Sequence, residues 1–396
     1  MISFMIHNCV MKQEEMIVKQ KMRNLWSWCK KEAVLSIAIV LAIVSAFFVR
    51  PDKEYISYID FKTLGILFCL MAVMAGLQKI GLFSYVAEKL LEIVNHIRGL
   101  IFILIMLCFF SSMLITNDVA LITFVPFTFI VLHMILGEKA EKLVVPVVVM
   151  QTIAANLGSM LTPIGNPQNL YLYGKTAMSF AEFILFMLPY TVVAFVILSV
   201  WCFVFPYQGD KRVELQLKEN TSVNAYKKEI IIYSILFVLC LLEVAHVLPW
   251  QLVLAVVLVV VLFLDKEVLR RVDYALLFTF IGFFVFIGNM GRVPAFNALI
   301  QNIIDGNEIL TSVVASQFMS NVPAALLLSG FTNKYELLIV GTNLGGLGTL
   351  IASMASLISF KYIGKEYKQL KGKYMVYFTV ANVSFLAVLM GVVFMM

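Results

Sequence analysis

Two short polar stretches interrupt apolar chain in this sequence. Thr116-Asn117-Asp118 stands between the apolar runs Leu100–Ile115 and Val119–Leu136, and Ser320-Asn321-Val322-Pro323 interrupts a similar region later on. An amide offers donor and acceptor in one side chain, so Asn117 and Asn321 can meet a carboxylate or complete a cation shell. Asp118 has two readings. A carboxylate at membrane depth is costly unless protonated, paired or bound to a cation; an aspartate just before Val119 is also a good N-cap. A third stretch, Asn156 to Asn169, sets glycines, prolines, amides and hydroxyls inside the apolar segment Leu143–Tyr173. Proline removes a backbone donor and clashes with the preceding turn. Open backbone at membrane depth is tolerated only where it faces protein or a water-filled cavity. The stretch therefore reads as the unwound middle of a discontinuous helix lining a binding site, with a kinked helix or short loop as the plainer reading.

The elements that hold these stretches are membrane spans. The 396 residues are 61% hydrophobic and 14% charged, with mean hydropathy +0.94, which excludes an ordinary soluble domain and predicts an all-α polytopic membrane protein. Apolar runs mark spans at 33–49, 61–77, 180–205, 230–247, 252–264, 274–288 and 375–395, while 81–95 and 294–304 are amphipathic and suit the interface. Residues 1–32 form a basic arm and 206–228 a polar linker, dividing a first repeat (33–205) from a second (229–396). No signal peptide is expected, because the apolar run after the arm lacks a small-residue cleavage site. If the arm, the linker and the loops near 78–98, 137–142, 265–272 and 361–373 are cytoplasmic, that side holds 24 of the 30 Lys and Arg residues. The positive-inside rule then places the N-terminus in the cytoplasm. Six scattered cysteines suggest reduced packing residues, and the net charge of +6 resides in loops, so no nucleic-acid partner is implied.

The two halves share a grammar. Residues 59–80 align without gaps on 272–293, Asn156-Leu157-Gly158 on Asn343-Leu344-Gly345, Thr162 on Thr349, and Asn117 occupies one polar tip as Asn321 does the other. The charge count gives the matched spans opposite senses. The halves are thus expected to be two inverted repeats, each with a helical hairpin and a discontinuous transmembrane helix.

With these residues the chain resembles the ion transporter superfamily, which holds divalent-anion/sodium symporters, citrate transporters, arsenite permeases and some sodium/proton antiporters. The resemblance runs from about residue 33 through nearly the whole chain. It rests on Thr116-Asn117-Asp118, on Gly158, Thr162, Gly165-Asn166-Pro167 and Asn169, and on Ser320-Asn321-Val322, Gly345, Thr349 and Ala352-Ser353. In the symporters each tip reads Ser-Asn-Thr; Thr116, Asp118 and Val322 depart from that pattern. The resemblance implies a scaffold and a mobile transport part in each half, in a homodimer in the plasma membrane. Substrate would lie between the halves, at Thr116, Asn117, Asp118, Asn166, Pro167, Ser320, Asn321, Val322 and Ser353. Carried over by position, one cation site would use Ser112, Thr116, Asn117 and Gly165, and a second Ser316, Met319, Asn321 and Ala352. Ser112 and Thr116, four apart, do share a helix face.

The expected function is secondary active transport of a small anion, a di- or tricarboxylate such as citrate or succinate, with Na+ or H+ as coupling ion and no other cofactor. The alternatives are an arsenite permease, a sodium/proton antiporter, or a channel. No Walker, zinc-protease or nucleophile–base motif suggests an enzyme. Lys79 and Arg292 read as snorkelling anchors at span ends. Glu243 and His246 read as an interfacial pair, with a proton relay as the other possibility.

Overall fold

The protein is described by a computed structural model that covers residues 32–92, 94, 96–205 and 225–395. The basic arm and most of the linker fall outside the described residues. Among those described there is no strand, and six helical stretches are long and apolar enough to cross a membrane. The chain divides into two compact units, Met1–Ile59 with Asp273–Val293, and Asp60–Val272 with Pro294–Met396.

In the first unit, α1 (Ala33–Phe48) packs along α11 (Tyr274–Gly291). Asp273 caps α11 by accepting from the Leu276 amide at 3.0 Å, as an N-cap aspartate should. At the other end of α11, Arg292 is more than a snorkelling anchor. Its guanidinium donates to Asp52 at 2.7 Å and to the Tyr58 hydroxyl at 2.9 Å, and pairs with Glu54 at 3.2 Å.

The second unit holds both hairpins and both helix breaks. Asp60 caps α2 (Phe61–Ile80) through the Thr63 amide at 3.0 Å, and α2 packs on α9 (Lys227–Val244) and α10 (Trp250–Asp265). Lys79 is likewise paired, to Asp265 at 2.6 Å and Glu267 at 2.9 Å. The alignment that puts Lys79 on Arg292 also puts Asp265 on Asp52 and Glu267 on Glu54. Each cation meets the carboxylates of the other half, so the sequence repeat is also a repeat of contacts. Sequence alone favoured snorkelling because the carboxylates lie more than 180 residues away in the chain.

The Arg292 guanidinium holds the Asp52 carboxyl below the usual carboxylate range. A depressed carboxyl contributes stability above its unfolded value and loses it as pH falls through the folded one. Arg292→Gln is therefore expected to melt below wild type at neutral pH. The two curves should converge only in acid, below about pH 4. Thermal melts in detergent across that range check it; a gap that persists undiminished in strong acid removes the pair as its source.

The hairpins are α4 (Ile97–Ile115) with α5 (Asn117–Leu136), and α13 (Glu308–Met319) with α14 (Asn321–Ser329). The broken helices are α6 (Glu141–Ser159) resuming as α7 (Pro167–Tyr173), and α15 (Tyr335–Gly345) resuming as α16 (Met354–Glu366). Each hairpin's first arm packs on the lead-in helix of its own half, α4 on α6 and α13 on α15. Each helix after a break packs on the other half, α7 on α14 and α15, α16 on α5 and α6. The remaining elements are amphipathic α3 (Leu82–Leu91) and α12 (Pro294–Ile304), and the long apolar helices α8 (Phe180–Val204) and α17 (Lys371–Met395). Glu182 completes a capping box with Ser179 at the start of α8.

The breaks are shorter than the sequence implies. Asn156, Leu157 and Gly158 are still helical, and so are Asn343 and Leu344; the backbone opens only over 160–166 and 346–353. Glycine here serves close approach rather than unwinding. A Cβ on Gly158 would meet the Phe109 carbonyl oxygen at 2.0 Å, and one on Gly345 the Ser316 hydroxyl at 2.6 Å.

Candidate functional site

The hairpin tips are built alike. Thr116 and Ser320 hold the left-handed side of backbone space, with φ 67° and 74°, which costs a non-glycine residue strain that its surroundings must offset. The turn releases the next amide from helical bonding. Asn117 N–H donates to the Gly165 carbonyl at 3.2 Å, and Asn321 N–H to the Ala352 carbonyl at 2.9 Å. Each tip is thereby fastened to the break of its own half. The threonine of each break returns the contact: Thr162 donates to the Met113 carbonyl, and Thr349 to the Gln317 carbonyl at 3.1 Å.

Asp118 does not cap a helix starting at Val119. The helix begins at Asn117, with Thr116 as its boundary residue, so Asp118 lies half-buried in the first turn. Its backbone N–H donates to the Asn117 side-chain oxygen at 3.0 Å. The left-handed Thr116 starts the helix two residues earlier than the sequence suggested.

Between the breaks lies a buried cluster of amides. Asn156 accepts from the Asn117 amide and from the Ser353 hydroxyl, both at 3.0 Å. Asn343 accepts from the Asn166 amide, also at 3.0 Å. The alignment that puts Asn156 on Asn343 puts Asn166 on Ser353, so the two contacts are one contact made twice with the halves exchanged. Asn166 also caps α7, accepting from the Asn169 amide at 2.9 Å with Pro167 in the first turn, where a missing N–H costs nothing. Asn169 accepts from Asn343 at 2.5 Å and donates toward the carbonyls of Ser159, Met160 and Thr162. Asn321 closes on the same place: a Cβ on Gly346 would lie 3.0 Å from its amide nitrogen, and the Gly346 carbonyl is 3.5 Å from the Asn156 amide.

The structure thus brings together Asn117, Asn166, Asn321 and Ser353 of the expected substrate residues. Ser320, Val322 and Pro167 are buried beside them, and Thr116 and Asp118 are half-buried at the first tip. Of the expected cation ligands, Gly165 and Ala352 offer carbonyls that already accept from the tips, with one lone pair to spare. Ser112 and Ser316 are buried and donate to Phe109 and Ser312 at 2.9 and 2.7 Å, which leaves their oxygens able to coordinate. Met319 is half-buried at the end of α13.

Several residues of the cluster escape a motif reading. Asn156 and Asn343 are legible as repeat markers, and only their contacts reveal them as hubs. Gln317 is invisible. From α13 it donates to the Gly345 and Leu347 carbonyls at 3.0 and 2.9 Å and accepts from the Thr349 amide at 2.8 Å. It holds the second break much as Asn169 holds the first, but from the hairpin rather than from the helix beyond. The first break is almost wholly buried, whereas Thr349 and Ile351 of the second are exposed.

A tip fastened to a break in each half, and breaks joined by reciprocal contacts, suits a protein that binds a solute at discontinuous helices. Residues 24–333 match the citrate transporter family, CitMHS. The chain belongs to the citrate transporter family. It is 35% identical to the uncharacterized transporter MJ0456 of Methanocaldococcus jannaschii, over 83% of this chain and 87% of that one. It is 30% identical to the inner membrane protein YbiR of Escherichia coli, over 82% and 86%. A shorter match, 31% identical over 39% of this chain and 29% of the other, is to the silicon efflux transporter LSI3 of Oryza sativa subsp. japonica. This citrate transporter family member is accordingly a multi-pass membrane protein, and its family and relatives point to transport rather than catalysis.

Proposed function

We propose that this family member is a secondary active transporter of a small anion, a di- or tricarboxylate such as citrate or succinate, driven by Na+ or H+. The observation that carries the reading is the exchanged contact pair, Asn156 with Ser353 and Asn343 with Asn166. Two inverted repeats around one site would produce such reciprocity, and alternating access would proceed by rocking one half against the other. The site binds by amide donors and by the positive ends of α5 and α14 beyond the tips, while Ser112, Ser316 and the Gly165 and Ala352 carbonyls suit a monovalent cation. In this reading it works as a homodimer in the plasma membrane, with its N-terminus in the cytoplasm, as the positive-inside count suggests.

A second cargo reading rests on the absence of Lys or Arg from the described amide cluster. An uncharged hydroxylated solute such as arsenous acid would need no cationic partner, and the partial likeness to a silicon efflux transporter points the same way. Proteoliposomes loaded with citrate, succinate or arsenite, under sodium and proton gradients applied separately, decide between them. Gradient-dependent carboxylate flux is expected. Flux of arsenite alone selects the second reading, and unitary currents without gradient coupling select a channel.

Asp118, in the first turn after the cation-suited tip, is the carboxylate nearest those uncharged oxygens in sequence. Asp118→Asn is expected to leave folding intact and raise the sodium concentration for half-maximal flux about ten-fold, equivalent to ~1.4 kcal/mol. Unchanged sodium dependence in flux assays confines coupling to the hydroxyls and carbonyls.

A further inference from the structure

Away from the amide cluster, the second unit holds a partly open cavity of ≈ 110 Å³ between the start of α2 and the ends of α7 and α9. That is room for roughly three or four water molecules at ~30 Å³ each. Glu243, in the last turn of α9, lines it and is only 1% exposed, yet neither carboxylate oxygen accepts a hydrogen bond. Lys62 comes within 3.8 Å of it, beyond hydrogen-bonding distance. The ammonium instead donates to His246 Nδ1 at 3.1 Å. His246, at φ 60°, stacks on Tyr173 with ring planes 2° apart. Tyr173 lines the same cavity, and its hydroxyl is a second buried oxygen without a hydrogen-bond partner.

A buried carboxylate without donors is costly unless it is paired, hydrated or neutralised. Lys62 pairs with it only at long range, 3.8 Å and without a hydrogen bond, and Lys62 with Lys175, which is 3.8 Å from Asp60, repels a further metal cation. Both orphaned oxygens are covered, and the cavity that their side chains line is the space from which water would reach them once a side chain shifts. The charged and titratable groups around Glu243 are Asp60, Lys62 and Cys69 from α2, Tyr173 and Lys175 at the end of α7, and Cys240 and His246 from its own segment. Glu182 of α8 faces Tyr173. Helix α10 brings only Asp265, which is bound to Lys79 at its far end.

We propose that Glu243 is a proton-binding site, loaded and unloaded through cavity water, with Lys62 as its movable counter-charge. On loading, a proton passes from a cavity hydronium to a carboxylate oxygen, an O–H bond forms, and Lys62 stays on His246. On release the proton returns to water and Lys62 swings onto the carboxylate. Tyr173 ends α7, whose opening residues Asn166 and Asn169 belong to the amide cluster, about 10 Å away at 1.5 Å per residue. Resting on the transport reading above, the proton on Glu243 is then a coupling ion, bound apart from the cargo.

The test begins with binding, independent of cargo. Infrared difference spectra of the purified protein in lipid, between acid and alkaline buffers, should contain a titrating protonated-carboxyl band that Glu243→Gln loses. Lys62→Met, which leaves Glu243 in place, should move the band's midpoint to higher pH, because a nearby cation favours the ionised form. A titrating band fully retained in Glu243→Gln overturns the proposal, as does a midpoint unmoved by Lys62→Met if the first variant fails to fold. In proteoliposomes, Glu243→Gln should lose the response of flux to a proton gradient. A wild-type response in that variant overturns the coupling role and leaves transport standing. Absence of flux for every cargo in wild type removes the transport reading, while the infrared band still decides the proton site.

Discussion

Replacing Asn156 with alanine is expected to abolish transport and lower thermal stability together. Its oxygen is the common acceptor for the Asn117 amide and the Ser353 hydroxyl, and both donors are buried. A buried donor left without a partner costs about 1–3 kcal/mol, so the loss should total roughly 2–4 kcal/mol after some repacking. That is a sizeable part of the ~5–15 kcal/mol that holds an ordinary domain folded. Ser353→Ala removes one donor and leaves the other contact intact, so its effect should be smaller. In the double variant the two losses should fall short of their sum, with a coupling of about 0.5–3 kcal/mol. Melting in detergent and flux in proteoliposomes measure both quantities; strictly additive losses would falsify the shared acceptor.

Gly158→Ala should be comparably damaging for a steric reason. The added methyl lands 2.0 Å from the Phe109 carbonyl and 2.6 Å from the Ser112 hydroxyl. The carbonyl is backbone and cannot rotate away, so α4 must move off α6, taking the fastened tip with it. Overpacking of this kind costs about 1–3 kcal/mol and occasionally more. Exchanging glycine for alanine within a helix returns only about 0.4–1 kcal/mol, so the clash wins. Gly345→Ala meets the Ser316 side chain at 2.6–2.9 Å, and part of that contact is a hydroxyl that can turn. The expected order is therefore Gly158→Ala worse than Gly345→Ala in folded yield, melting temperature and flux. Equal or reversed effects would show that α4 and α6 yield more easily than their contact implies.

The sequence by itself determined the class of this protein and where its hairpin tips and helix breaks fall. Apolar runs of membrane length, basic loops, and the recurrence of Asn-Leu-Gly and of the Asn117 and Asn321 tips are local signals. Bilayer thickness and helix geometry make such signals decisive. Tertiary structure alone decided how those residues are used. Helix continued through Asn156 and Asn343 because their backbone bonds were satisfiable within the turn, and opened only past Ser159 and Gly345. Asp118 entered the first turn of α5 because Thr116 took the left-handed turn. Lys79 and Arg292 became ion-paired because carboxylates distant in sequence met them, each from the other half. Gln317 carries no motif at all, and the cavity beside Glu243 left no trace in the sequence. Gln317 meets carbonyls of a segment about thirty residues away, and Glu243, which the sequence joined only to His246, lines a cavity formed by three separate helices. A hydrogen bond or a cavity is a relation between positions, and in this chain those positions are brought together only by folding.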